Sequence, residues 1–238
     1  TASSGLVTNK VSYVTSTVPM SMYGCDFEEA ASDCTNFYPT PTWGTRYRLL
    51  YGKQGNNGPA KFTIFSTNET ATVTILPKTS FTSSVGSFVA NTPQTVTLGP
   101  RQSYVVKLTT VGQEFSGTLL TSSAKISVIN GYQCEGAYAT FTGAGGACDT
   151  GAQVVPPVSS WGSAFYSANY QNTNTTGSGY RILADQNNTT ITIAGDTSTT
   201  VTLQEGEIFQ FVAFQNTGAA PNKSISITSN NPILVAHW

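Results

Sequence analysis

The sequence predicts an all-β protein: two tandem β-sandwich modules of jelly-roll type, made from an internal repeat and stapled by disulfides. Three observations carry this expectation. Short runs of Val, Ile, Thr, Tyr and Phe alternate with polar positions and recur about every 8–12 residues, separated by Gly, Pro, Asn and Asp turn formers. No apolar periodicity of helical spacing lasts beyond two turns, a short stretch at residues 27–32 excepted. The chain also repeats itself. Displacing it by the interval between Trp43-Gly44 and Trp161-Gly162 lays residues 62–75 over 180–193, two strand–turn–strand patterns.

The later landmarks follow in the same order once an insertion in the first copy is passed. Thr95-Val-Thr-Leu98 matches Thr200-Val-Thr-Leu203, and Tyr104-Val-Val-Lys-Leu108 matches Phe209-Gln-Phe-Val-Ala213. The segment from Thr121 to Val128 then answers that from Thr228 to Val235. Strands are expected at 11–18, 47–51, 61–66, 71–76, 95–98, 103–108, 118–121 and 126–129 in the first copy. In the second they are expected at 164–168, 180–185, 190–194, 200–203, 208–214, 224–228 and 233–237. The expected modules are residues 1–130 and 131–238, each opening with a cysteine-clasped loop, a proline corner and Trp-Gly.

Composition narrows the function. Only 10% of the 238 residues are charged, against about 25% in an average soluble domain. Hydroxyl and amide side chains take their place, which suits strands and an extracellular setting. The net charge is −1 with no basic stripe, so nucleic acid is excluded as a partner. No apolar run reaches membrane-spanning length, so this segment is not expected to insert directly into a membrane. Thr1 does not open a signal peptide, and the chain reads as a processed or excised piece of an exported protein.

Four cysteines allow three pairings, and local spacing favours Cys25–Cys34 and Cys134–Cys148. Asn68, Asn174, Asn187, Asn188 and Asn222 stand in Asn-x-Ser/Thr acceptors for glycosylation, whereas Asn91-Thr-Pro does not qualify. The first clasped loop offers the carboxylates of Asp26, Glu28, Glu29 and Asp33 to a calcium ion. It lacks the order of a dedicated calcium loop, and Glu135 is the only acid in the second loop, so a solvated acidic loop is favoured. No zinc site of the usual kind and no cofactor is expected, because His237 is the only histidine and no CxxC occurs.

The junction reads Gly131-Tyr-Gln-Cys134, then Ala147-Cys148-Asp149, then Val155-Pro-Pro157-Val-Ser-Ser-Trp161-Gly162-Ser-Ala-Phe165. This pattern resembles the N-terminal domain of the IgG Fc-binding protein family. Tyr180-Arg-Ile-Leu-Ala, Asn188-Thr-Thr-Ile-Thr-Ile193 and Thr228-Ser-Asn-Asn-Pro232-Ile-Leu-Val235 look like its later strands. The resemblance is good over 116–238 and weaker over the first copy. It implies a non-catalytic extracellular adhesion or matrix module, part of a larger secreted, surface or filament-forming protein. Its partners would be other extracellular proteins or glycans, copies of the chain itself included.

Tyr132, Tyr138, Phe141, Tyr166 and Tyr170 flank the second loop and are the candidates for ligand contact, because loop aromatics give area at low entropic cost. They also support an alternative, a lectin-like carbohydrate-binding module. Trp43 and Trp161 read as core plugs rather than sugar platforms. Asp149, Asp185, Glu205 and Glu207 are the carboxylates a hydrolase would need, but Asp185 and Glu205-Gly206-Glu207 look like turn formers. His237 reads as exposed or lying between modules. The sequence therefore points away from an enzyme.

Overall fold

The computed structural model describes residues 5–7, 11–28, 31–51, 59–110, 113–135, 149–168, 178–214 and 224–237. These form β1 (Gly5–Val7), β2 (Met22–Glu28), β3 (Ala31–Phe37), β4 (Gly44–Arg48), β5 (Ala60–Ser66) and β6 (Ala71–Leu76). Next come β7 (Phe81–Ser83), β8 (Gly86–Phe88), β9 (Gln94–Leu98), β10 (Ser103–Lys107), β11 (Leu119–Glu135) and β12 (Asp149–Val154). The second half adds β13 (Gly162–Ala168), β14 (Ser178–Ala184), β15 (Thr189–Gly195), β16 (Thr199–Leu203), β17 (Ile208–Ala213) and β18 (Ser224–His237). The fold is all-β, as expected.

The internal repeat is written in the strand pairing. In the first sheet the order β10-β5-β11-β6-β9 has β4 added along β11; in the second, β17-β14-β18-β15-β16 has β13 added along β18. Registers agree residue for residue under the sequence alignment. Ala71 pairs with Leu98 as Thr189 pairs with Leu203, Ser127 with Phe65 as Leu234 with Leu183, and Leu119 with Arg48 as Ser226 with Tyr166. A register slip of one residue would turn every apolar side chain outward, so such agreement is strongly specified.

One strand in each repeat joins the two halves of its sheet. The beginning of β11 pairs with β4 and β6, and from Ile126 onward the strand pairs with β5 and β12. Likewise β18 pairs with β13 and β15 up to Ser229, then with β14 from Ile233. The residues between, Ser123-Ala-Lys125 and Asn230-Asn-Pro232, are polar, small or proline, and the strand bends there. The two predicted strands at each of these places are thus a single continuous one, because a bend does not interrupt backbone extension.

Each repeat buries its own core. The first gathers Tyr47, Phe62, Ile64, Val73, Ile75, Phe115, Leu120, Ile126 and Val128; the second Tyr180, Ile182, Ile191, Ile193, Ile225, Ile227 and Ile233. The Phe115 ring meets those of Phe62 and Phe81 edge-on at 4.8 and 4.7 Å, a preferred aromatic geometry. Tyr132 and Val155 belong to the first core, and β12 pairs with β11 in the first sheet. The chain therefore changes core after Val155, not at the expected 130/131 boundary. The described residues 131–135 and 149–154 lie on the first sheet because β11 runs straight through the residue where that boundary was drawn.

Other expectations are corrected. Residues 11–18 form no strand but lie as exposed coil. Of residues 27–32, the described ones are strand, not helix, Phe27 pairing with Ser32 and Glu28 with Ala31, and Cys25 and Cys34 stand directly opposite one another across β2 and β3. The insertion of the first copy holds the hairpin β7–β8.

Trp43 and Trp161 are half-buried, not core plugs. Each closes a 3-10 turn, Thr40–Thr42 or Val158–Ser160, that follows a proline. Each indole Nε1 donates to the carbonyl five residues back, Tyr38 O at 2.8 Å and Pro156 O at 3.3 Å. The indole locks the proline corner instead of filling the core, since a donor that must find a carbonyl keeps the ring at the rim.

Candidate functional site: the seam between the repeats and the clasp cleft

Two places gather polar side chains with purpose. The first is the seam where the repeats meet. Arg46 and Arg48 project from the same face of β4, while Tyr47 between them points into the core. Across from them lie the β14–β15 turn, with Asp185, and the β16–β17 turn, with Glu205-Gly206. Arg46 donates through Nε and Nη2 to both Asp185 oxygens, at 3.0 and 2.9 Å. Arg48 donates through Nε to Asp185, through Nη2 to Glu205, and through Nη1 to Gly117 O at 3.0 Å.

Burial ranks these contacts. The side chains of Arg48 and Asp185 are 4% and 8% exposed, those of Arg46 and Glu205 39% and 43%. The Arg48–Asp185 pair is thus the desolvated centre, and the others form its wet rim. Backbones approach closely beside it: a Cβ on Gly117 would sit 2.5 Å from Gly206 O, and both glycines have positive φ. Lys78 Nζ donates to Glu205 O at 2.7 Å. Pro157 packs on Gly44, where an added Cβ would lie 2.5 Å from the proline Cβ. This is the physical reason for glycine after Trp43.

A second anchor crosses the seam further along. Arg181 on β14, almost wholly buried, donates to both oxygens of Glu114 at 2.6 and 2.8 Å, and to Tyr51 O. Such bidentate pairs fix orientation as well as distance. Arg46, Arg48, Arg181, Glu114, Asp185 and Glu205 all form ion pairs across the seam.

The second place is a cleft of about 510 Å³ between the clasp hairpin and the end of the first sheet. Its walls include Thr35, Asn36 and Tyr38 on one side and Asn130, Tyr132 and Gln153 on the other, with Leu50 and Tyr51 at the base. The Cys25–Cys34 disulfide holds the hairpin, and β3 faces the open edge of β12. Asp33 Oδ2 accepts from Ala152 N at 2.8 Å, and Thr35 Oγ1 accepts from Val154 N at 3.1 Å. These side chains satisfy an edge that would otherwise present bare N–H groups. Asn130, buried, donates from Nδ2 to Leu50 O at 2.7 Å and fixes the cleft floor. Burial pushes the Tyr51 phenol well above its ordinary 10.0, with the Tyr132 phenol and Glu114 carboxylate adding to the rise. That phenol donates to Lys61 O at 2.8 Å and is a neutral structural donor. The cleft can offer hydrogen bonds and an aromatic ring to a ligand.

A model of the family described as IgGFc binding protein matches residues 33–238. The chain belongs to this family. The match takes in both repeats, the seam and most of the cleft wall, so the resemblance seen at the junction extends over the first copy as well. No curated protein and no solved structure matches the chain.

Against this family frame the expected site residues fall apart into groups. Tyr132 is 2% exposed and packs edge-on against Tyr51, so it offers only its rim to the cleft. Tyr166, on β13, is 84% exposed and far from that cleft in the sheet order. Tyr138, Phe141 and Tyr170 lie outside the described residues, as do Cys148, and with it the Cys134–Cys148 pairing, and the acceptors Asn174 and Asn222. Asn68, Asn187 and Asn188 are exposed in the matching β5–β6 and β14–β15 turns. Asn187 Oδ1 accepts from Glu205 N at 3.0 Å, and Asn68 Oδ1 from Arg101 Nε at 2.6 Å.

Of the four acids considered for calcium, Glu29 and the side chains of Asp26 and Glu28 lie outside the described residues, and Asp33 is engaged with β12 and with Cys34 N. Among the described residues no cluster of three or more His, Cys, Asp or Glu is placed to hold a metal. His237 is half-buried and stacks on Tyr180, ring centroids 4.5 Å apart and planes 2° apart.

The seam residues were not anticipated, yet the sequence carries their signal. They are charged where the other repeat is not. Arg46 and Arg48 align with Ala164 and Tyr166, Arg181 with Thr63, Asp185 with Thr67, and Glu205 with Pro100. In a chain with so few charges, these breaks in the repeat mark the surface that has a partner.

Proposed function

We propose that the chain is a non-catalytic extracellular adhesive or structural module of a larger secreted, surface or filament-forming protein, binding other extracellular proteins through its surfaces. Membership of the IgGFc binding protein family over both repeats is the observation that carries this reading. The seam supports it: two modules locked by desolvated ion pairs present their loops in a fixed relation, as a binding array requires. Three of the four carboxylates considered for a hydrolase are tied up instead, and the side chain of the fourth, Asp149, lies outside the described residues. Asp185 and Glu205 hold arginines, and Glu207 Oε2 accepts from Gln204 N at 2.7 Å in its own turn.

A second reading rests on the cleft. Asn36, Tyr38 and Gln153 are exposed side chains of its wall, and amides with a phenol suit sugar hydroxyls, so a glycan is the alternative ligand. The test is biosensor binding of the chain to immobilised immunoglobulin Fc, mucin and extracellular-matrix proteins, each with and without enzymatic deglycosylation, beside a glycan array. The adhesive reading expects saturable binding that survives deglycosylation. Binding that disappears with the glycans, and with Tyr38→Ala and Gln153→Ala, establishes the lectin reading instead. Fc alone among the ligands would bring the ligand in the family's description to this chain. No saturable binding to any of them overturns the adhesive reading.

A further inference from the structure

The seam has a matching pair of surfaces left open. Within the chain, the outer face of β4 in the first repeat receives the β14–β15 and β16–β17 turns of the second. Strand β13 stands in the second repeat where β4 stands in the first, in the same register against β18. The outward positions of Arg46 and Arg48 are there Ala164 and Tyr166, both exposed, and Tyr166 has the highest exposure among the large apolar side chains described. The first repeat likewise keeps its own copies of the docking turns, at Thr67-Asn68 and at Gly99 to Gln102.

These turns are built alike. Gln102 N donates to Gly99 O as Glu207 N donates to Gln204 O. The Gln102 side chain accepts from Gly99 N at 2.7 Å as the Glu207 side chain accepts from Gln204 N at 2.7 Å. Arg101 has φ 56° where Gly206 has φ 75°.

The residues that differ are exchanged in a complementary sense. In the seam a cation on the strand, Arg48, lies against a turn glycine, and a Cβ on Gly206 would be 3.0 Å from Arg48 Nη1. On the open surfaces the cation sits on the turn, as exposed Arg101, and the strand carries an aromatic ring, Tyr166. Arg101 already lies over one ring, its guanidinium carbon 4.6 Å from the centroid of Tyr13. The Arg101 side chain stays exposed beside that ring, and a guanidinium can stack an aromatic ring on each of its two faces. The described residues of β13 bear no charge that would repel it.

We propose that the β13 face of one chain docks the first-repeat turns of a second copy, with Arg101 of that copy stacked on Tyr166. This repeats between chains the placement the seam makes within one. The contact joins unlike surfaces, so it propagates head to tail instead of stopping at a two-fold dimer. The inference deepens the structural side of the proposed function, and its failure would leave binding to other proteins standing, since the biosensor experiment tests that separately.

The experiment is sedimentation velocity from about 1 to 200 µM on the wild type, Tyr166→Ser, Arg101→Glu, and an equimolar mixture of the two variants. Both positions are exposed, and unchanged thermal melting confirms that each variant folds. The wild type is expected to grow in mass beyond a dimer as concentration rises. Each variant alone remains monomeric. Their mixture, which restores one good contact and no more, stops at a dimer. A monomeric wild type at the top concentration overturns the proposal, as does association that both substitutions leave intact.

Discussion

Replacing Asp185 by asparagine keeps the shape of the seam and removes its central charge. The carboxylate, 8% exposed, accepts from Arg46 twice and from Arg48 once. An amide can still accept from Arg48 through its oxygen, but its NH2 group then faces the Arg46 guanidinium, donor against donor. Arg46 is 39% exposed and can turn to water at small cost. Arg48 is 4% exposed and cannot, so its charge is left with Gly117 O and half-exposed Glu205. Breaking a buried pair on one side costs about 3–5 kcal/mol, and the surviving partners of Arg48 place Asp185→Asn near about 3 kcal/mol. For a cooperative unit of this size that is a fall in Tm of about 6–12 °C. Urea and thermal unfolding followed by circular dichroism read it directly. Glu205→Gln, at the 43% exposed rim, should cost under about 1 kcal/mol. A loss below about 0.5 kcal/mol for Asp185→Asn, or an equal loss in both variants, would refute a desolvated centre with a wet rim.

Gly117→Ala should destabilise by about 2 kcal/mol or more, because its Cβ meets Gly206 O at 2.5 Å in a positive-φ backbone; a neutral result in urea unfolding would mean the repeats separate freely. Replacing Cys25 and Cys34 together by serine should loosen the clasp without unfolding either core, seen as faster hydrogen exchange at the Ala152 and Val154 amides that Asp33 and Thr35 cap. The buried phenols of Tyr47 and Tyr51 are both raised from 10.0. Below that pH both states keep the proton; above it the unfolded chain releases it first, so stability should fall as pH rises past 10, and less steeply in Tyr51→Phe. His237 is lowered from 6.5 by burial, so the unfolded chain binds the proton first on acidification. The stability it supplies is full above pH 6.5 and is lost as pH falls below it, and His237→Phe should remove that part of the pH dependence while keeping a ring against Tyr180.

The repeat and the strands were legible because period-two alternation and turn residues are local signals, and β6 was read to the residue. The clasp pairing Cys25–Cys34 was legible for the same reason, as its partners are close in sequence. What was missed depends on long-range company. Residues 11–18 alternate like a strand, yet without a partner strand they stay coil. Trp43 and Trp161 look like core, yet their indole donors are claimed by local carbonyls at the rim. Asp185 and Glu205 look like turn formers, which they are; their arginine partners come from more than a hundred residues away, where no pattern in one strand reports them. Only the comparison of the repeats with each other shows that their charges are out of place. The exposed Tyr166 was singled out by nearness in sequence to the second loop, yet register on β13 places it where Arg48 stands in the first repeat.

The seam locks two like repeats into one unit. Differential scanning calorimetry tests it most directly. A single transition whose calorimetric and van't Hoff enthalpies agree is the predicted result. Two resolved transitions in the intact wild-type chain, one for each repeat, would contradict it.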